Sequence, residues 1–297
     1  MIAGCITALV TPFRNGRLDI AGLRRNVKFQ LKHRVSGVLV GGSTGEAPAL
    51  TEKEREKAIT TVVSEVRGRI PVMVGAGTNS TAKSIRVVRQ AKQLGADAVL
   101  VVAPYYVKPT QEGLYRHFRT IAEAVDIPIV VYNIPGRCSV NIEPATIEKM
   151  VRNCPGIIGV KEASGRLDQA SEIIQRCGDR VSVLSGDDSL TLPILSVGGK
   201  GVVSVVSNLV PEDVVLLIEY YLGGKINPAA KLHCRLYPLI KALFVETNPI
   251  PVKAAMETVG MAAGEPRLPL VPLSKNGRRV VRKRLKEYGL NIVRRDI

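Results

Sequence analysis

Short β-branched runs return eight times along this chain, with stretches of amphipathic helical spacing between them, and that recurrence limits the fold more than any single motif does. The runs are Cys5 to Val10, Gly37 to Val40, Pro71 to Val74, Ala98 to Val102, Pro128 to Tyr132, Ile157 to Lys161, Val181 to Ser185 and Gly201 to Val205. Helical spacing covers, among others, Asp19 to Lys32, Glu52 to Val66, Thr81 to Leu94 and Gln111 to Ala124. Runs that are apolar throughout, rather than alternating, fit strands covered on both faces, as in a parallel sheet wrapped by helices. Eight such units favour an α/β fold of the TIM (β/α)8 barrel type over an open doubly wound sheet.

After the eighth run, Pro211 to Tyr221 completes the last outer helix, and more helical pattern follows in Ala229 to Phe244, Ile250 to Val259 and Lys275 to Tyr288. Prolines at Asn248-Pro249 and from Pro266 to Pro272 punctuate this tail. The expected organisation is therefore a barrel over residues 1–224 and a C-terminal helical extension over 225–297, within one structural unit. A length of 297 residues suits such a unit.

No apolar run approaches the roughly 20 residues of a membrane span, and the start MIAGCITALV reads as a first core strand rather than a signal peptide, so a cytoplasmic location is expected. Five scattered cysteines without a C-x-x-C pair suggest buried thiols, not a disulfide framework or a zinc site. His33, His117 and His233 have no ligand spacing, so no metal is expected. The net charge of +16 raises the question of a polyanion partner. Its densest cluster, from Lys275 to Lys286, alternates with Val280, Val281 and Leu285 as the solvated face of a helix does, so no nucleic-acid or membrane partner is expected.

In an α/β barrel the chemistry sits where strands end. Lys161 ends the sixth run behind Ile157-Ile158-Gly159-Val160, which should hold its amine at the barrel mouth. Partial burial and any cationic neighbour would favour the neutral amine, a nucleophile able to form a Schiff base with a ketone. An ordinary pairing with Glu162 or another carboxylate is the competing reading. Tyr132, at the neighbouring strand end, is a hydroxyl suited to moving protons during imine chemistry, although tyrosines are commonly core. Thr44 and Tyr106 could extend it into a hydroxyl relay. The turn Gly41-Gly42-Ser43-Thr44-Gly45 should offer N–H groups and hydroxyls, including Ser43, to a carboxylate at the start of a helix, or be a plain turn. Arg137 either grips a second carboxylate in bidentate fashion or is a surface arginine.

Taken together, Gly41-Gly42-Ser43-Thr44-Gly45-Glu46, the pair Tyr105-Tyr106, Tyr132-Asn133-Ile134-Pro135-Gly136-Arg137 and Gly159-Val160-Lys161-Glu162-Ala163-Ser164 resemble the dihydrodipicolinate synthase and N-acetylneuraminate lyase family along nearly the whole chain. The resemblance implies a TIM barrel, often a homotetramer built as a dimer of dimers, that works through a pyruvate Schiff base without metal or organic cofactor. By motif matching it implies Lys161 as the imine-forming lysine, Tyr132 as the proton-transferring tyrosine, and Thr44 and Tyr106 as its relay, Tyr106 arriving across a dimer interface. Ser43, Thr44, Arg137, Gly186 and Val203 are implied to bind substrate, the last two through their backbones.

Arg137 matches the residue that, in the synthase branch, receives the carboxylate of L-aspartate 4-semialdehyde. The implied reaction is condensation of pyruvate with that aldehyde to 4-hydroxy-tetrahydrodipicolinate. A lyase or aldolase acting on N-acetylneuraminate or a 2-keto-3-deoxy sugar acid is the alternative within the family. An idle basic scaffold is the alternative outside it. Lysine-inhibited synthases carry His and Glu in an interface site where this chain has Ala47, Glu52, Arg55 and Lys83, with Asn79 and Tyr105 matching, so weak or absent lysine feedback is expected.

Overall fold

The protein's structure, a computed structural model, describes residues 2–293. The eight apolar runs form strands β1 (Gly4–Ala8), β2 (Gly37–Val40), β3 (Val72–Gly75), β4 (Ala98–Val102), β5 (Ile129–Asn133), β6 (Ile157–Glu162), β7 (Ser182–Ser185) and β8 (Gly201–Ser204). Every neighbouring pair is parallel, and β8 pairs with β1 to close the barrel. The expected (β/α)8 architecture is the observed one. Closure leaves no strand edge open, which suits strands with so few polar residues.

The outer ring consists of α1 (Ile20–Lys32), α2 (Glu52–Val66), α3 (Thr81–Gln93), α4 (Gln111–Ala124), α5 (Pro144–Asn153), α6 (Leu167–Cys177), α7 (Thr191–Ser196) and α8 (Pro211–Leu222). The C-terminal helices α9 (Ile226–Ala242), α10 (Ile250–Thr258) and α11 (Lys275–Tyr288) follow, α9 packing on α8 and α11. Val281 and Leu285 of α11 are buried, while Lys275, Arg278, Arg279, Lys283 and Lys286 are exposed, the amphipathic arrangement expected from their spacing. Between β1 and α1 lies a hairpin, Phe13–Arg14 with Arg17–Leu18, turned by Asn15 and Gly16, both at positive φ.

Side-chain alternation divides the apolar residues into two cores. One layer lies between strands and helices. The other fills the barrel with Ile6, Ala8, Leu39, Met73, Ala98, Leu100, Val130, Tyr132, Leu184 and Val203. Strand limits differ from the sequence reading by a residue or two, and the end of β8 shows why. The N–H groups of Val205 and Val206 bond the Asp188 carboxylate instead of continuing the ladder.

Among the described residues no helix is long and apolar enough to cross a membrane, and no three His, Cys, Asp or Glu side chains are grouped to hold a metal. The cysteines are free thiols, four of them buried and Cys234 exposed.

Candidate active site

Lys161 faces the barrel interior because of an irregularity in β6. Ile129 pairs with Ile157 but Val130 pairs with Gly159, so Ile158 is an extra residue that shifts the strand's parity. From there Tyr132 pairs with Lys161, Lys161 with Leu184, and Asn133 with Glu162. Lys161 thus shares the inner face with Tyr132 and Leu184, while Glu162 turns outward toward α6. The Glu162 carboxylate accepts from Asn133 Nδ2 at 3.0 Å, Gln169 Nε2 at 3.0 Å and the Ser164 N–H at 2.6 Å. That network removes Glu162 as an ion-pair partner for Lys161.

The Lys161 side chain is only 5% exposed, and its Nζ lies 4.2 Å from the centroid of the Tyr132 ring. Burial drives its pKa down from the ordinary 10.5 to about 7; the negative charge of Asp188 opposes this fall and the positive charge of Arg137 adds to it. A substantial share of neutral amine at neutral pH is the property that a Schiff-base nucleophile needs.

Tyr132 is buried as well, and burial pushes its phenol up to about 12, with Arg137 and a hydrogen bond with the Ser43 side chain pulling the other way. At neutral pH it is a proton donor that needs a neighbouring hydroxyl to be resupplied. That hydroxyl is Ser43. Thr44, the expected relay member, is buried with its Oγ1 accepting from Asn248 Nδ2 at 3.0 Å. The relay assignment therefore shifts by one residue, from Thr44 to Ser43. Consecutive side chains in a turn point different ways, and spacing alone did not distinguish them.

The Gly41 to Gly45 turn also differs from expectation. It does not open α2: a short 3₁₀ turn, Ala47–Ala49, intervenes, and α2 is capped by its own Thr51-Glu54 box. The N–H groups of Gly45, Glu46 and Ala47 are used within the turn, which leaves those of Ser43 and Thr44 to present to an anion. Gly41 has φ +67, and a Cβ on Gly75 would meet the Gly41 carbonyl oxygen at 2.1 Å, so the turn lies directly on the β3 backbone.

Ser43, Tyr132 and Arg137 line one cavity of about 270 Å³ together with Tyr105, Leu100 and Cys138. Lys161 lies behind the Tyr132 ring at its floor. Arg137 sits on a single helical turn after β5, Pro135–Cys138, with Nη2 donating to the Asn248 carbonyl at 3.0 Å. Gly186 follows β7, its N–H donating to the Glu162 carbonyl at 2.7 Å and its Cα so close to Ala163 that a Cβ would approach that side chain at 2.6 Å. Val203 is buried in β8 with its side chain in the interior core. Tyr106 is 87% exposed at φ +73 and does not line this cavity.

The Dihydrodipicolinate synthetase family profile matches residues 1–288. The chain belongs to this family. It is 48% identical over 290 residues to a 4-hydroxy-tetrahydrodipicolinate synthase of Endomicrobium trichonymphae, covering 98% of this chain and 99% of that one. A synthase of the same name from Pelobacter propionicus is also 48% identical, with 98% and 100% covered. The crystal structure of a dihydrodipicolinate synthase from Thermotoga maritima superposes with a TM-score of 0.96 at 47% identity, covering 98% of this chain and 100% of that one.

Two residues of this family member's site escaped the sequence reading. Asn248, from the C-terminal helical region, bonds both Thr44 and Arg137, yet its only local signal was a proline after it, which reads as a helix break. Asp188 stood in the Ser185-Gly186-Asp187-Asp188 strand end, but nothing in that string marks which aspartate turns inward. A second cavity, about 720 Å³ between α2 and α3, gathers Ala47, Glu52, Arg55 and Lys83 with Arg86 and Arg89.

Proposed function

We propose that this chain catalyses the condensation of pyruvate with L-aspartate 4-semialdehyde to 4-hydroxy-tetrahydrodipicolinate, an entry step to diaminopimelate and lysine. The observation that carries the reading is the buried Lys161 amine, uncharged for much of the time near neutral pH, against the Tyr132 phenol at the mouth of a barrel. Its membership among synthases of nearly equal length supports the choice of acceptor.

In this reading the neutral amine adds to C2 of pyruvate, and the carbinolamine oxygen leaves as water after receiving protons passed through Tyr132 and Ser43. Loss of a C3 proton gives an enamine, whose C3 attacks the aldehyde carbon. Ser43 and the N–H groups of its turn hold the pyruvate carboxylate, with Gly186 and Val203 offering backbone contacts and Thr44 bracing the turn against Asn248. Arg137 holds the carboxylate of the aldehyde. Tyr106, on the exposed loop with Tyr105 and Val107, is offered to a second subunit, and a cytoplasmic homotetramer that includes residues 225–297 in the barrel's structural unit is part of the reading.

The test is borohydride reduction in the presence of pyruvate, with mass spectrometry mapping the added group to Lys161, followed by an assay with aspartate semialdehyde. Absence of a stable adduct would refute the reading.

Three further results are expected. The Lys161 amine is neutral above about pH 7 and an ammonium ion below it, so kcat/KM for pyruvate should fall about tenfold per unit below that pH; a profile flat from pH 5.5 to 8 would contradict this. Arg137→Ala should raise the KM for aspartate semialdehyde by roughly 10- to 100-fold, the loss of a charge-assisted contact, and leave pyruvate trapping intact. L-lysine at submillimolar concentration should leave the initial rate unchanged, because Arg55 and Lys83 line the cavity where a further ammonium group would have to settle.

A further inference from the structure

We infer that Asp188 is the buried counter-charge of Lys161, a positioning residue that touches no substrate and governs, through the amine, when that amine can attack a carbonyl. The inference rests on the Schiff-base reading of Lys161 and adds to it a residue that sets its charge.

The carboxyl group is held in one orientation. Asp188 is 4% exposed at the end of β7, and its Oδ2 accepts from the N–H groups of Val205 at 2.8 Å and Val206 at 3.0 Å. The Ser204 hydroxyl bonds the carboxylate as well. Its other oxygen, Oδ1, is buried with no hydrogen-bond partner among the described residues. A buried carboxylate oxygen without a donor is costly, and its persistence calls for a charge or a transient donor nearby.

Lys161 supplies that charge. The groups acting on the amine are the Asp188 carboxylate from β7, the Arg137 guanidinium from the turn after β5, and the face of the Tyr132 ring on β5. Those acting on Asp188, besides Ser204 and the two N–H groups, are Asp187 beside it in the chain. Across the barrel on β1, the Cys5 thiol is pushed up to about 12, mainly by burial and further by the charge of Asp188. Burial pushes Asp188 itself up to about 6, close to the value at which Lys161 titrates.

No direct ion pair joins the two among the described residues. The amine is thus biased toward its charged form without being locked in it. The same carboxylate would stabilise the positive charge that returns to Nζ when the carbinolamine loses water to give a protonated imine.

The sign of the effect makes the inference testable. Asp188 raises the pKa of Lys161, so removing its charge lowers that pKa and extends imine formation to more acidic solution. D188N keeps the shape of the side chain and an oxygen to accept from Val205 and Val206. Borohydride trapping with pyruvate, read by mass spectrometry from pH 5 to 9, should have its midpoint about 1 pH unit or more lower in D188N than in the unmodified protein.

S204A removes a hydrogen bond that keeps Asp188 ionised and should shift the midpoint the same way by less, which keeps the inference testable if D188N fails to fold. Trapping that weakens in both variants with an unmoved midpoint would mean a structural role alone and overturn the inference, leaving the Schiff-base reading intact. No trapping in the unmodified protein would overturn both.

Discussion

Lys161→Ala should abolish pyruvate-dependent borohydride labelling and lower kcat/KM by on the order of 10⁴-fold or more, with the fold retained. At its ordinary pKa of 10.5 a lysine would be neutral in roughly one molecule in three thousand at pH 7. Burial beside the Tyr132 ring brings the value to about 7, so loss of this amine removes a nucleophile that no other lysine replaces at the barrel mouth. Lys161→Arg is the sharper variant. It keeps a positive charge and similar bulk but cannot lose its proton, so it should be equally inactive. Activity in the arginine variant would assign Lys161 an electrostatic role and exclude imine formation. Because Lys161 is a buried, partly uncharged group in an otherwise apolar interior, its replacement by alanine leaves no unpaired charge there. A catalytic loss can therefore be read separately from a loss of folding, by comparing near-ultraviolet circular dichroism of the two proteins.

The barrel was legible because periodicity alone separates strands from helices, and eight apolar runs with helices between them leave few other closed arrangements. Lys161 and Tyr132 were legible because each ends such a run, where the barrel opens. What spacing did not carry was orientation. The extra residue at Ile158 has no signature in Ile157-Ile158-Gly159, yet it decides which of Lys161 and Glu162 faces inward. Ser43 and Thr44 were both flagged, and only the rotation of the turn distinguishes the hydroxyl at the phenol from the one bonded to Asn248. Asn248 reaches Arg137 across 111 residues of sequence and Thr44 across 204, contacts that exist only once the C-terminal helices have packed. The Asn15-Gly16 hairpin did carry a signal, since that dipeptide favours a tight turn with two positive φ angles, but its strands are two residues long and show no alternation.

Breaking the buried Glu46–Lys253 pair should be the most destabilising single change outside the apolar core. Lys253 Nζ lies 2.6 Å from Glu46 Oε1, with both side chains 1% exposed. The ammonium group also donates to the Thr11 carbonyl at 3.2 Å and the Glu265 carbonyl at 3.3 Å, and it lies 4.3 Å from the Phe13 ring centroid. Glu46 Oε2 accepts the Arg267 N–H at 2.9 Å. The pair ties the end of the Gly41 to Glu46 turn, where Glu46 itself has φ +52, to α10 and the segment after it. Lys253→Met fills much of the same volume but leaves Glu46 ionised and buried without its cation, which should lower stability by about 3–5 kcal/mol. The double variant Glu46→Leu with Lys253→Met removes both charges and should recover most of that loss, since a buried ion pair seldom exceeds an apolar replacement in stability. Urea unfolding of both variants measures this directly. A single variant within about 0.5 kcal/mol of the unmodified protein would show that water reaches the pair and that the turn is held by its backbone alone. If the tether also sets the turn's shape, the single variant should raise the KM for pyruvate more than it lowers kcat, because the Ser43 hydroxyl and the N–H groups beside it would no longer converge on one carboxylate.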